Sequence, residues 1–366
     1  MSYDKLSGVY FTETIGSVST TTTQTPLFII QTTTEIPAID EQYIKFQNLT
    51  AFKNTAENKD LDETINFIEE TLNEAGMVNN EFYTYSIKTD TAANFTKVLV
   101  DSSHMSEIRD VFYFEETKSA NGNNINSKLG ALKTGANTCY TNGVTRIVYA
   151  CPYGTIMDAV ENKASGTTNE GACLAAINTI TNGINSGRVS VILPEYPGAS
   201  AGRVLDAAYN EEIGYPVVNT AISEPIFQFT TSDMIALQNK GVLFIRGEML
   251  RGSYVYRVNL GVSTAFSGNG ADGLLLSRRV CDEVLNQVKY ACDDFVKAPN
   301  DVEGGLVTLQ TDIDNVLERF VAAGEIVEED SELTVTEGSD VYTFSVAGQI
   351  KPIKSTIAIN VNTTIA

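Results

Sequence analysis

Apolar and polar residues alternate one by one in two stretches near the ends of the chain. Across 355–366, Ile357, Ile359 and Val361 alternate with Thr356, Ala358 and Asn360, the period of two that gives a strand one dry face. Near the start, Val9 and Phe11 alternate with Tyr10 and Thr12. A terminal strand exposes a row of unpaired N–H and C=O groups and so needs a partner, which addition to the sheet of another chain can supply. The pattern predicts two extended, strand-forming arms: Val9, Tyr10, Phe11 and Thr12, and Ile357, Ala358, Ile359, Asn360 and Val361.

Between the arms the period changes repeatedly. Residues 17–24, rich in Ser and Thr, read as an extended connector, and Leu27 to Ile30 as a short apolar strand. A helix is predicted over 60–76, with Leu61, Ile65, Ile68 and Leu72 on one stripe, Asp60 as N-cap and Gly76 as stop. Strands are expected at 82–87, 96–100, 110–114 and 145–150, with a polar loop over 119–127. A helix over 170–184 then delivers a strand at 189–193. Further helices are expected at 205–210 and 232–239, followed by two paired strands at 242–247 and 254–260. Strand–helix–strand succession of this kind predicts an α/β domain with a helix-covered sheet.

The C-terminal part differs. Val280, Val284, Val288, Cys292 and Phe295 recur at helical spacing within a long helix over 271–297, which Pro299 stops. A second helix over 301–323 carries Leu306, Leu309, Ile313, Leu317 and Phe320 and ends at Gly324. The short connection favours an antiparallel pair. Strands return at 333–335, 341–346 and 350–361.

Composition narrows the function. With 366 residues, 43% of them hydrophobic, the chain can build two or three packed domains. It has no apolar run of the ~18 residues that spans a membrane, and Met1 to Gly8 lacks the basic start and apolar run of a signal peptide, so synthesis in a cytoplasm is expected. The net charge of −21, from 46 acidic and 25 basic residues, argues against direct binding to a nucleic-acid backbone. The five cysteines, Cys139, Cys151, Cys173, Cys281 and Cys292, have neither zinc-site nor disulfide-framework spacing and read as buried thiols.

The sequence offers no constellation that reads as an active site. Gly268, Gly270 and Gly273 match G-x-G-x-x-G, yet the preceding strand ends near Leu260 and the acidic position about 20 residues on falls inside the same helix, so a dinucleotide site fails both of its conditions. His104, with Asp101 and Glu107 nearby, is the only histidine and reads as a surface residue. The acidic runs at Glu211-Glu212, Asp282-Glu283 and Glu328 to Asp330 lack the spacing of a calcium loop and read as solvated turns and helix faces. The expectation is a protein without catalytic, cofactor or metal residues.

The order of elements resembles contractile tail sheath proteins of bacteriophages, contractile bacteriocins and related injection systems. The resemblance is carried by Gly8-Val-Tyr-Phe-Thr-Glu13, by Lys240-Gly-Val-Leu-Phe-Ile-Arg246 with Tyr256-Arg-Val-Asn-Leu260, and above all by Val296-Lys-Ala-Pro-Asn300, Val316-Leu-Glu-Arg-Phe-Val-Ala-Ala-Gly-Glu-Ile326 and the closing β segment. It covers the first 20 residues and about the last 130.

That resemblance implies a mixed α/β (α+β) fold: a core domain built from both chain ends, an inserted peripheral α/β domain and extended terminal β arms. The corresponding division is an arm at 1–24, a peripheral domain at 25–230, a core domain at 231–350 with the two long helices, and an arm at 351–366. It further implies stacked hexameric rings linked by strand exchange around an inner tube, with baseplate and tail terminator proteins as further partners, in a virion or phage-like tail. Contraction would leave the arms joined while the cores move, with hinges at 20–24 and 348–354. Arg278, Arg279, Lys289, Lys297 and Arg319, on the helix pair, are the candidates for a releasable contact to the tube. Two other classes stay open: an α/β enzyme with an unrecognised pocket, and a different self-assembling subunit, from a tail tube or a surface layer.

Overall fold

The computed structural model describes residues 25–31, 42–55, 61–87, 91–118, 124–214, 216–222, 226–250, 253–266, 273–297, 302–337 and 344–353. Its largest element is a seven-stranded sheet of β1 (Leu27–Gln31), β2 (Tyr43–Phe46), β3 (Phe82–Ile87), β4 (Asp110–Phe114), β5 (Ile147–Cys151), β6 (Val189–Ile192) and β7 (Val242–Leu243). The spatial order is β2-β3-β1-β4-β5-β6-β7, parallel throughout except for β2, which runs antiparallel to β3. Strands such as Phe82–Ile87 and Asp110–Phe114 are buried at every position, as a sheet covered on both faces requires. The last strand of this sheet comes from beyond residue 230.

Alternate residues of each strand serve opposite cores. Leu27 and Ile29 join one, with α3 (Ala92–Asp101), α4 (Ile125–Thr141), α5 (Tyr153–Glu161), α6 (Asn169–Ile180) and α8 (Thr231–Gln238). Phe28 and Ile30 join the other, with α1 (Leu49–Thr55), α2 (Asp62–Glu74) and α7 (Pro197–Asp206). Helices α2 and α7 cross closely: a Cβ on Gly198 would lie 2.3 Å from Glu70 Cβ, and one on Gly202 2.4 Å from Glu74 Cβ.

Several expectations are corrected. Residues 96–100 form part of α3, not a strand, with the Thr91 side chain capping its N-terminus. Helices α1, α4 and α5 stand where none was predicted, and the helix expected at 205–210 is α7, lying N-terminal to that position. The first turn of α2 is served from outside by Glu116, whose carboxylate accepts from the Thr64 N–H at 3.3 Å and the Glu63 N–H at 3.4 Å; Asp60 lies outside the described residues. The run 242–247 divides between two sheets. β7 stays in the large sheet, whereas β8 (Ile245–Leu250) forms an antiparallel hairpin with β9 (Ser253–Val258).

The C-terminal pattern is borne out as helix, helix, hairpin. α9 (Leu275–Lys297) and α10 (Val302–Ala322) pack through Val280, Val284, Val288 and Cys292 against Leu309, Ile313, Val316 and Phe320. Gly324, at φ +73°, ends α10. The hairpin of β10 (Glu332–Glu337) and β11 (Phe344–Gln349) closes this core with Leu333, and the chain after it adds Ile350. Residues 351–353 then turn back on 325–327: the Val327 N–H donates to Lys351 O at 2.8 Å, and the Ile353 N–H to Glu325 O at 2.9 Å.

Candidate assembly surfaces

In an open α/β sheet, ligands bind beyond the carboxyl ends of the strands where successive connections leave to opposite faces. Here that point lies between β1 and β4, and the chain's own side chains fill it. Lys128 of α4, fully buried, donates to Gln31 Oε1 at 3.0 Å and pairs with Glu115 Oε1 at 3.3 Å, while the Tyr113 hydroxyl donates to the same Gln31 oxygen at 2.6 Å. Burial raises the Glu115 carboxyl above its ordinary range, against the attraction of Lys128. A cavity of about 420 Å³ opens beside this point between α2 and the start of α7, lined by Glu63, Asn66, Glu70, Tyr153 and Tyr196 among others. Among the described residues no group of three His, Cys, Asp or Glu side chains is placed to hold a metal ion. His104 is exposed on a short 3₁₀ turn, and 267–272, which hold most of the glycine motif, lie outside the described residues.

A polar joint ties the sheet to the C-terminal helices. Asp282 and Glu283, expected on a solvated face, are both buried, because the first half of α9 is covered nearly all round. Asp282 takes two parallel bonds from Arg188, which precedes β6, at 3.0 and 3.1 Å. The Arg188 guanidinium also lies 4.4 Å from the Tyr140 ring centroid. Arg279, expected as a tube contact, is fully buried and donates to Val204 O at 2.7 Å and Ala207 O at 3.3 Å, with Asp110 at 3.8 Å. The Tyr209 hydroxyl donates to Glu325 at 3.0 Å and fixes the end of α10 to the segment after α7. The partners of Arg279 and Asp282 sit some 70 to 170 residues away in sequence, so helical periodicity cannot reveal them, whereas Glu283 accepts from Gln287 Nε2, one turn on, at 3.0 Å.

The other proposed tube contacts are scattered. Lys289 donates to Gly143 O at 3.0 Å, Arg278 is half-buried, and Arg319 is exposed with its Nε 3.4 Å from Asn315 O. The Lys297 side chain lies outside the described residues. Asp312, Asp314 and Glu318 are exposed with Arg319 on α10, and 302–337 hold ten acidic residues against this one base, so the outward side of α10 is acidic. All five cysteines are buried, and none forms a disulfide within the chain. Both terminal arms, Val9 to Thr12 and Ile357 to Val361, lie outside the described residues.

The two hairpins present sheet edges. The outer edge of β9 is met by residues 216–217, where the Val217 N–H donates to Tyr256 O at 2.9 Å. The β10–β11 sheet has two strands and pairs with no third among the described residues. A short two-stranded sheet backed by a helix pair is geometrically suited to receiving a further strand.

A doubly covered parallel sheet, a buried ion-paired joint and a C-terminal helix pair with its own hairpin make up a mixed α/β chain. The same architecture is found in the helical sheath of the anti-feeding prophage (AFP), determined by cryo-electron microscopy in the contracted state. The match covers 98% of this chain and 99% of that one, at a TM-score of 0.62 and 15% sequence identity. No protein-family model matches the sequence, and no curated protein matches it. The likeness therefore resides in the fold. No helix among the described residues is long and apolar enough to cross a membrane.

Proposed function

We propose that this chain is the structural subunit of a contractile sheath, polymerising as stacked six-subunit rings around an inner tube and shortening to drive that tube through a target envelope. The observation that carries the proposal is the likeness to the anti-feeding prophage sheath along essentially the whole of both chains. A partial match would fit any α/β protein; this one takes in the sheet, the helix pair and the terminal hairpin together. The occupied switch point between β1 and β4 also favours a structural role over a ligand-binding one.

In this reading the arms at 1–24 and 351–366 link neighbouring copies. About five backbone bonds at ~1 kcal/mol each hold one donated strand by a few kcal/mol, with burial of Ile357, Ile359 and Val361 adding to it. Because 351–353 are tied to 325–327, the C-terminal hinge narrows to the residues after Ile353. The inserted α/β unit lies peripherally and the helix pair belongs to the ring core. A tube surface meeting the outward side of α10 carries basic groups opposite Asp312, Asp314 and Glu318, with Arg278, Lys289, Lys297 and Arg319 as minor contributors; Arg279 has no part in it. The remaining partners are baseplate and tail terminator proteins, and the particle is a phage-like tail assembled in a host cytoplasm. Deletion of 355–366 tests the linkage: a folded, soluble monomer that builds no tubes is expected, and normal tubes from the deleted chain contradict it.

A further inference from the structure

The two edges of the β10–β11 hairpin are not equivalent. From α10, Gln310 reaches the backbone of β10: its Nε2 donates to Leu333 O at 2.8 Å, and its Oε1 accepts from the Val335 N–H at 2.7 Å. A backbone C=O and the N–H two residues on are the pair that the N–H and C=O of one residue in an adjoining parallel strand would engage. The Gln310 carboxamide thus stands in for a strand. Its second Nε2 hydrogen goes to Asp314 Oδ1 at 2.8 Å, one turn on. With Val335 supplying a donor and Asp314 an acceptor, the amide has a single satisfied orientation.

The register shows which groups remain. Leu333 stands opposite Gly348 and Val335 opposite Val346. In an antiparallel pair, residues that face each other turn their backbone groups the same way, either toward each other or both outward. Since Leu333 and Val335 turn outward to Gln310, Phe344, Val346 and Gly348 turn theirs outward along the far edge of β11. On that edge Phe344 packs edge-on against Phe295 of α9, with centroids 5.5 Å apart, so an apolar strand face laid beside it continues the same core. Residues 355–366 have such a face in Ile357, Ile359 and Val361.

We propose that Gln310, positioned by Asp314, closes the β10 edge to strand pairing and thereby directs residues 355–366 of a second copy to the β11 edge alone. This rests on the sheath reading and adds to it a residue that selects the edge. A hairpin with two usable edges could accept two arms and propagate sheets outside the intended lattice; one closed edge removes that route.

Disulfide trapping tests the assignment in the full chain, whose own thiols are buried. Ala358→Cys, which alternates in sequence with Ile357 and Ile359, is combined with Ser345→Cys on β11 or with Thr334→Cys on β10, the last two exposed. Strands are ~4.8 Å apart, so an arm on β11 lies one spacing from Ser345 and about two, beyond disulfide reach, from Thr334. The expected result is an intermolecular cross-link to Ser345→Cys and none to Thr334→Cys. Gln310→Ala should then raise the Thr334→Cys cross-link severalfold, while Gln310→Glu, which keeps the acceptor for Val335, should raise it less. Cross-linking at Thr334→Cys with Gln310 intact, or none there in Gln310→Ala while Ser345→Cys still reacts, overturns the inference. Tubes that form without either cross-link overturn it and leave the sheath reading standing; absence of both tubes and cross-links removes both.

Discussion

Removing Asp282 should be among the most damaging single changes in the described part of the chain. Its carboxylate is fully buried against Arg188, whose side chain is 3% exposed, with two bonds of 3.0 and 3.1 Å. At an effective dielectric near 20, opposite unit charges about 3 Å apart attract by roughly 5 kcal/mol. Burying each ion costs several kcal/mol, so the intact pair contributes little net stability, yet Asp282→Ala leaves that cost on Arg188 uncompensated. The Arg146 carbonyl, at 3.5 Å, and the Tyr140 ring, at 4.4 Å, do not replace a carboxylate. The expected loss is about 3–5 kcal/mol, whereas Arg188→Met with Asp282→Leu should recover most of it. Urea unfolding of the single and double variants, monitored by circular dichroism, measures both. A loss below about 1 kcal/mol for Asp282→Ala, or a double variant no more stable than the single, refutes the reasoning about this joint.

The remaining expectations concern protonation and assembly. Burial raises the Glu212 carboxyl above its ordinary 4.5, against bonds from the Gly261 and Ile213 N–H groups. A carboxyl raised in the folded state costs stability while ionised, and this cost fades as pH falls through the raised value. Glu212→Gln should therefore be more stable than the parent at about pH 8, with the advantage shrinking toward acid; an advantage that grows on acidification contradicts the assignment. Burial pushes the Cys173 and Cys292 thiols up to about 12, so at about pH 8 a thiol reagent should label almost nothing until urea is added. Rapid labelling of the native chain would show that one of these cores opens. Reversing Asp312 and Glu318 to Lys, with Asp314 kept because it holds Gln310, should abolish co-assembly with the tube while leaving sheath self-assembly intact; unchanged co-assembly places the tube contact elsewhere.

What the sequence revealed follows from how local each signal is. The stripes of α9 and α10 and the stop at Gly324 depend on neighbours three or four residues apart, and were legible. The run Val98-Leu99-Val100 reads as strand because β-branched residues favour extended backbone, but Phe95, Val98 and Leu99 also have helical spacing and pack on α4. α4 escaped notice because its glycines and threonines are poor helix formers. Gly135 is there for packing: a Cβ would lie 2.9 Å from Leu99 Cβ, so the residue that hides the helix also lets α3 approach it. Asp282 and Arg279 look like surface because their partners, such as Arg188 and the Val204 carbonyl, are remote in sequence. Gln310 likewise carries no sign of its role until β10 is laid beside it.

The central claim is that this chain polymerises as a sheath, and electron microscopy of the purified full-length protein tests it most directly. Hollow helical tubes with sixfold cross-sections are the predicted result. A protein that remains monomeric under all assembly conditions, or that forms flat two-dimensional sheets, would contradict it.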